Sequence, residues 1–266
     1  LEGDSATNEP IRVSATSAVF ETRDPRATAP KRVLVVDIGG TNVKFKAPGY
    51  DEVKFPSGRT LTPQQMLKEL KARTKDWDYD VVTIGYPGAV REDSIQAEPA
   101  NLGKGWVGFD FGEALGKEVK VINDAAMQAL GSATKPGLTL FLGVGTGLGV
   151  ALVLVEEKEG VLKKRVIPTE LGHARAKKNE SYESLVANKT LRGKDGKVSK
   201  KELKSWTQSL QSVVEDLQRF LVADYVVLGG GNVKRLKDFR ETFPDARISP
   251  GDNQYAFAGG EVLWQD

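Results

Sequence analysis

Twice in this chain an apolar run enters a short turn rich in glycine and threonine and leaves it as a second apolar run. The first instance is Val33-Leu34-Val35-Val36, then Asp37-Ile38-Gly39-Gly40-Thr41-Asn42, then Val43-Lys44-Phe45-Lys46. The second passes from Leu138–Leu142 through Gly143-Val144-Gly145-Thr146-Gly147-Leu148-Gly149 into Val150–Val155. Strand, tight turn and strand make a hairpin. That excludes two other glycine loops, because a Rossmann turn leads into a helix and a Walker A loop ends in Gly-Lys-Ser/Thr. One such hairpin in each half implies an internally duplicated fold of two related domains.

The segments between them alternate strands and helices, which makes the class α/β. Thr62 precedes Pro63-Gln64-Gln65, a capping residue with Pro in the first turn and Gln at the capping-box position, so a helix carrying Met66, Leu67 and Leu70 starts there. A strand over Val81–Ile84 is followed by the loop Gly85-Tyr86-Pro87-Gly88 and a long polar stretch to Gly116 that contains Asn101 and Trp106. The strand Val119–Ile122 runs into Asn123-Asp124, and Ala125–Leu130 reads as a helix with Asp124 at its N-terminus. Leu203, Trp206, Leu210, Val213, Leu217 and Leu221 recur at helical spacing and feed the strand Tyr225–Leu228. Gly229-Gly230-Gly231-Asn232 then precedes Val233–Phe239, an expected helix whose N-terminus faces a ligand, and Ala256–Trp264 reads as a closing helix.

Composition removes several classes of function. With 39% hydrophobic and 28% charged residues the chain is of ordinary globular type. Its 38 Lys and Arg against 36 Asp and Glu leave a net charge of +2, too small to make nucleic acid the expected partner. The absence of Cys rules out disulfides and thiolate metal sites, and the single His rules out an all-histidine site. No apolar run reaches the roughly 18 residues that span a bilayer, so no membrane partner is expected. Residues 1–31 hold Glu2, Asp4, Glu9, Glu21 and Asp24 and lack the apolar centre of a secretory signal; they read as an irregular extension, and the expected location is cytoplasmic.

The candidate chemistry lies in the turns. Glycines at 39 and 40 let backbone N–H groups approach phosphate oxygens, Thr41 adds a hydroxyl, and Asp37 is a carboxylate suited to Mg²⁺, directly or through water. A plain hairpin turn is the alternative, and it needs less of this chemistry. Four glycines around Thr146 cost backbone entropy without a packing return, which favours a second phosphate cradle over a flexible loop. Asp124 viewed alone is a helix cap. At a strand end between two phosphate loops, it is instead placed to take the proton of an attacking hydroxyl. Glu170-Leu171-Gly172-His173, just after a strand, is either a surface segment or, with Asn101 and Asn123, a set of donors and acceptors for vicinal sugar hydroxyls. Trp106 is either core or the floor of that pocket. Lys163-Lys164-Arg165, Lys177-Lys178 and Lys189–Lys204, with a turn at Asp195-Gly196, form either a solvated face or a track for a polyanion.

Taken in order, Asp37–Asn42, Asn123-Asp124-Ala125, Gly143–Gly149, Glu170–His173 and Gly229–Asn232 resemble the ROK family of sugar kinases over residues 32–266, most closely its polyphosphate glucokinases. The resemblance implies a duplicated actin/hexokinase-like (ribonuclease H-like) fold of two domains with a central cleft. Residues 32–122 would form a small N-terminal domain, joined by a C-terminal helix at 254–266, and 123–253 a large C-terminal domain. Asp37, Gly39, Gly40, Thr41, Asn42 and Lys44 would handle phosphate and Mg²⁺; Gly145, Thr146 and Gly147 the donor phosphate; Gly230, Gly231 and Asn232 a nucleoside. Asn101, Asn123, Asp124, Glu170 and His173 would hold a hexose, with Asp124 as base on the 6-hydroxyl of glucose or a close relative and ATP, polyphosphate or both as donor. Many members bind zinc through the equivalent of His173 and three later cysteines, which are missing here, so no zinc is expected. Polyphosphate glucokinases show a Tyr-Glu pair that Tyr182-Glu183 matches, which adds Glu183 to the sugar site. Homodimers are common in the family. Its repressors carry a helix-turn-helix, for which 31 irregular residues are too few. The competing expectation is a catalytically silent sugar-binding or regulatory protein that retains the fold.

Overall fold

The computed structural model describes residues 30–191, 198–252 and 254–265. The extension up to residue 29, the Asp195-Gly196 turn and part of the 189–204 basic cluster lie outside the described residues.

The chain opens as a meander, β1 (Val33–Ile38), β2 (Asn42–Lys46) and β3 (Val53–Pro56), each strand antiparallel to the last. Helix α1 (Pro63–Arg73) leads to β4 (Val81–Tyr86), parallel to β1. A two-residue-strand hairpin, β5 (Val90–Arg91) with β6 (Ser94–Ile95), and the short α2 (Phe111–Leu115) precede β7 (Glu118–Asn123), parallel to β4. The sheet order is β3-β2-β1-β4-β7. Helix α3 (Asp124–Ser132) then enters a second meander, β8 (Gly137–Val144), β9 (Leu148–Lys158) and β10 (Val161–Thr169). The small pair β11 (Arg175–Lys177) and β12 (Glu180–Ser181) and helices α4 (Tyr182–Val186), α5 (Asn188–Leu191) and α6 (Lys200–Leu221) follow. Strand β13 (Tyr225–Gly229) is parallel to β8, and after α7 (Phe239–Thr242) β14 (Ile248–Pro250) is parallel to β13. This order, β10-β9-β8-β13-β14, repeats the first sheet strand for strand, so the duplication expected from the two hairpins is present in the topology. Helix α8 (Tyr255–Val262) closes the described chain.

Local chemistry accounts for most of these elements. β1 and β4 are buried at every position, and sequences apolar but for Asp37 and Thr83 reflect cover on both faces. β2 alternates, as a strand with one buried face must. Both long helices start at a full capping box, Thr62 with Gln65 on α1 and Ser199 with Glu202 on α6. α1 buries Met66, Leu67 and Leu70 in the core of the first sheet. α6 buries Trp206, Leu210, Val213, Val214 and Leu217 in the core of the second, each worth roughly 1.5–3 kcal/mol of apolar burial. The Trp206 indole N–H donates to Val186 O at 2.9 Å.

Two expectations fail. Val233–Phe239 is not a helix: a single 3₁₀ turn over Val233–Arg235 stops at the extended Leu236, and Asp238 starts the separate α7 by accepting the Glu241 N–H. The polar stretch before Gly116 is not unbroken loop, since it holds the β5–β6 hairpin. Its turn residues Glu92 and Asp93 take φ 49° and 58° without glycine, so no sequence signal marks it.

Candidate active site

α3 is where the two halves meet, and glycines bring its first turn into place. A Cβ on Gly85 in β4 would sit 2.3 Å from the Met127 side chain, and one on Gly149 in β9 would sit 2.6 Å from Ala125 Cβ. Each sheet therefore contributes a strand glycine that lets the start of α3 press against it. α8 packs along α3 and against β1 and β4, and is fastened by the fully buried Thr83, whose hydroxyl donates to Gly260 O and accepts from the Trp264 indole N–H, both at 2.8 Å.

The cap of α3 is Asn123. Its Oδ1 accepts the Ala126 N–H at 3.0 Å and its Nδ2 donates to Gly88 O at 3.0 Å, so both ends of this amide are engaged by the protein. Asp124 is the first helical residue, and its Oδ1 accepts the adjacent Ala125 N–H at 2.8 Å. Burial pushes the Asp124 carboxyl up to about 7; Asp37 and Glu170 add to the rise and the Ala125 N–H opposes it. Asp37, at the end of β1, is likewise pushed up by burial, to about 6, with Lys44 directly across the β1–β2 ladder lowering it and Glu52 raising it. A carboxyl whose charging cost is raised by a second carboxyl nearby is a place for a cation or a proton.

The two turns face one another. A Cβ on Gly40 would lie 3.9 Å from Thr146 Oγ1 and 3.9 Å from Asn101 Cβ, so the first turn, the second turn and the Asn101 loop converge. Gly39 N–H closes the first turn on Asn42 O at 2.9 Å, and Ser57 N–H holds Thr41 O at 3.0 Å. The second turn is braced from three directions. Gly145 O accepts from Asn188 N at 2.9 Å and Asn232 Nδ2 at 3.1 Å, and Val144 O accepts from Asn232 N at 3.1 Å. The Glu183 carboxylate accepts the Leu148 N–H at 3.2 Å. Gly230 at φ 88° makes the Asn232 contacts accessible, since a Cβ there would be 2.3 Å from Val144 O. Gly145 and Gly231, by contrast, face open space.

Glu170 and His173 flank a 3₁₀ turn after β10, with largely exposed side chains and His173 Nε2 3.5 Å from Glu170 Oε2. Gly172 lets this turn rest on Leu148, whose O would be 2.3 Å from an added Cβ. Trp106 resolves as core: it is fully buried against Tyr86 and Phe111. Of the basic residues on β10, Lys164 turns inward and donates to Leu130 O at 3.0 Å, while Lys163 and Arg165 are exposed or nearly so. Among the described residues no group of three or more His, Cys, Asp or Glu is placed to hold a metal, and no helix is long and apolar enough to cross a membrane.

Comparison with known proteins gives the family and the fold. Residues 34–207 match the family model for glucokinase. No curated protein matches the chain. Among solved structures it is similar to an inorganic polyphosphate/ATP-glucomannokinase from Arthrobacter sp. strain KM, at 22% identity over 89% of this chain and 100% of that one, with a TM-score of 0.69. It is similar to a ROK family glucokinase from Streptomyces griseus in complex with glucose and AMPPNP, at 16% identity over 88% and 99%, with a TM-score of 0.69. A ROK hexokinase from Thermus thermophilus shares 19% identity over 87% and 97%, with a TM-score of 0.63. At these identities the structures establish the common fold.

Proposed function

Since the chain belongs to the glucokinase family and is a sugar kinase, we propose that it moves the terminal phosphoryl group of ATP, polyphosphate or both onto the 6-hydroxyl of glucose or a close relative, with Asp124 as general base. The observation that carries this reading is the state of Asp124. Asn123 does the capping, so the Asp124 carboxyl keeps acceptor capacity for a substrate hydroxyl, and its raised pKa makes it a competent proton acceptor near neutral pH.

In this reading Asn101, Glu170 and His173 are the hydroxyl partners for the sugar, Glu170 being near enough to Asp124 to raise its carboxyl, while Asn123 acts by fixing the helix start. Glu183 acts through the Leu148 N–H, setting the second turn that receives the donor phosphate with Thr146. Asn232 does the same through Gly145 O. Asp37 fits Mg²⁺, because it is a buried carboxyl with no side-chain hydrogen bond in the described residues, beside a second carboxyl. Mg²⁺ keeps most of its water and shares donor phosphates, so one or two carboxylates suffice. Bound there it would neutralise charge on the transferring phosphoryl group. In this reading residues 32–122 with 254–266 form the small domain and 123–253 the large one, working in the cytoplasm and closing over the substrates to exclude water.

The test is sugar phosphate formation by the purified protein with Mg²⁺, a panel of hexoses, and ATP and long-chain polyphosphate as separate donors. Glucose phosphorylated by either donor is the expected result. Glucose binding without phosphorylation from either donor would leave a silent binding protein instead.

The pH profile follows from the same carboxyl. Asp124 must be ionised to accept a proton, so kcat/KM rises with pH through about 7 and then levels. A profile already flat from pH 5 upward would mean that a group of ordinary carboxylate pKa, or none, controls the rate.

A further inference from the structure

Asn101 stands in a segment with no regular structure between β6 and α2, and a single acidic side chain ties that segment back on itself. The Glu98 carboxylate accepts Gly105 N–H at 3.1 Å to each oxygen, Trp106 N–H at 3.2 Å and Val107 N–H at 3.4 Å. Consecutive backbone N–H groups converging on one carboxylate form a nest for an anion, occupied here from within the chain. Burial alone would raise the Glu98 carboxyl; the three N–H groups and Lys104 hold it below the usual range, so the clamp stays charged at neutral pH.

Two further ties complete the arc. The Tyr86 hydroxyl donates to Ala97 O at 2.9 Å, immediately before Glu98, and Gly103 N–H donates to Leu61 O at 2.9 Å. The Leu61 end belongs to the connection whose Ser57 N–H holds Thr41 O, so the arc is referenced to the first phosphate turn. Asn101 lies between these ties, with its Cβ 3.9 Å from where a Gly40 Cβ would be. Of the ties, the Glu98 carboxylate is the one that closes the arc on both sides of Asn101.

We infer that Glu98 is a positioning residue for sugar binding, its carboxylate setting the arc that presents Asn101 to the sugar beside the first turn. This rests on the reading that Asn101 touches sugar. A carboxylate that only stabilised the loop would affect folding and leave sugar affinity alone. One that positions Asn101 moves the sugar KM and spares the donor KM.

The experiment compares Glu98→Ala, Glu98→Gln and Asn101→Ala with the parent protein by steady-state kinetics, varying glucose and donor separately, together with thermal midpoints. Hydrogen bonds to a charged group are being removed, so Glu98→Ala and Asn101→Ala should each raise the glucose KM about tenfold or more, with the donor KM within about twofold. Glu98→Gln, which keeps one acceptor oxygen and sets an amide against the remaining N–H groups, should fall between. It also keeps the comparison available if the alanine variant fails to fold. A raised glucose KM in Asn101→Ala with an unchanged one in both Glu98 variants overturns the inference while leaving the sugar site intact. An unchanged glucose KM in Asn101→Ala overturns the sugar-site reading itself, and the Glu98 inference with it.

Discussion

Replacing Asp124 with Asn is expected to lower turnover by about 10²–10⁴-fold, the usual worth of a positioned general base, while glucose still binds and the protein becomes more stable. The two effects have one cause. The native carboxyl titrates at about 7 because burial and Asp37 oppose its charge, whereas in the unfolded chain it titrates at the ordinary 3.8. Between those values the folded state holds a proton that the unfolded state has released, so stability falls as pH rises across that window. Above pH 7 the protein carries the full cost of a charged Asp124. The helix N-terminus offsets only about 0.3–1 kcal/mol of it. Asn retains Oδ1 for the Ala125 N–H and carries no charge, so at pH 7.5 it should gain on the order of 1–3 kcal/mol, a thermal midpoint higher by a few degrees. At pH 4 the two proteins should unfold together, because Asp124 is then protonated in the native parent. Kinetics and calorimetry at the two pH values check both halves. Undiminished turnover removes Asp124 as base, and a variant less stable at pH 7.5 removes the buried-charge account.

How far the sequence reveals this molecule depends on whether the informative residues are neighbours in the chain. The duplicated hairpins were legible because each is written in one contiguous segment, and the repeated sheet order follows from them. The starts of α1 and α6 were legible because a capping box needs only four residues. Asp37 and Asp124 stand out in the sequence as candidates because each carboxylate stands at a strand end, and the structure finds both carboxyls pushed up by burial. The effect of Asp37 on Asp124 was not legible, because it is a property of two segments far apart in the chain.

The misses have the same explanation reversed. The partner of a glycine is set by tertiary packing, so nothing local shows that Gly85 and Gly149 both admit the start of α3. Asn123 and Asp124 are both good caps, and sequence cannot say which one takes the duty. The role given to Asn232 as a nucleoside neighbour did not foresee that its amide braces Gly145 O. Glu98 is one acidic residue in a polar stretch, unremarkable until three N–H groups turn toward it.

The largest loss of stability is expected from Gly259→Ala. Alanine is the better helix former by about 0.8–1 kcal/mol, so propensity alone predicts a gain. Packing predicts the opposite, because the new Cβ would lie 1.8 Å from Met127 O and 2.9 Å from Gly131 N. Both obstacles are backbone, and no rotamer relieves them. The contact is reciprocal: a Cβ on Gly131 would lie 2.0 Å from Tyr255 O, so α3 and α8 interlock glycine to backbone. Separating them also strains the Thr83 link to Gly260 O. Overpacking of this kind costs about 1–3 kcal/mol and more where backbone must move, and the thermal midpoint should fall by roughly 2–12 °C. Met127 lies within one helical turn of Asp124, so the displacement reaches the proposed base, and an error of about 1 Å there is worth about 10²-fold in rate. Gly260→Ala is the comparison, since the atoms nearest its Cβ would be those of the Val35 side chain, from 2.4 Å, which has more freedom to yield than a backbone carbonyl. Thermal unfolding and glucose phosphorylation of both variants should rank Gly259→Ala well below Gly260→Ala. Equal, small effects would mean that the α3–α8 interlock does not hold α3 in place.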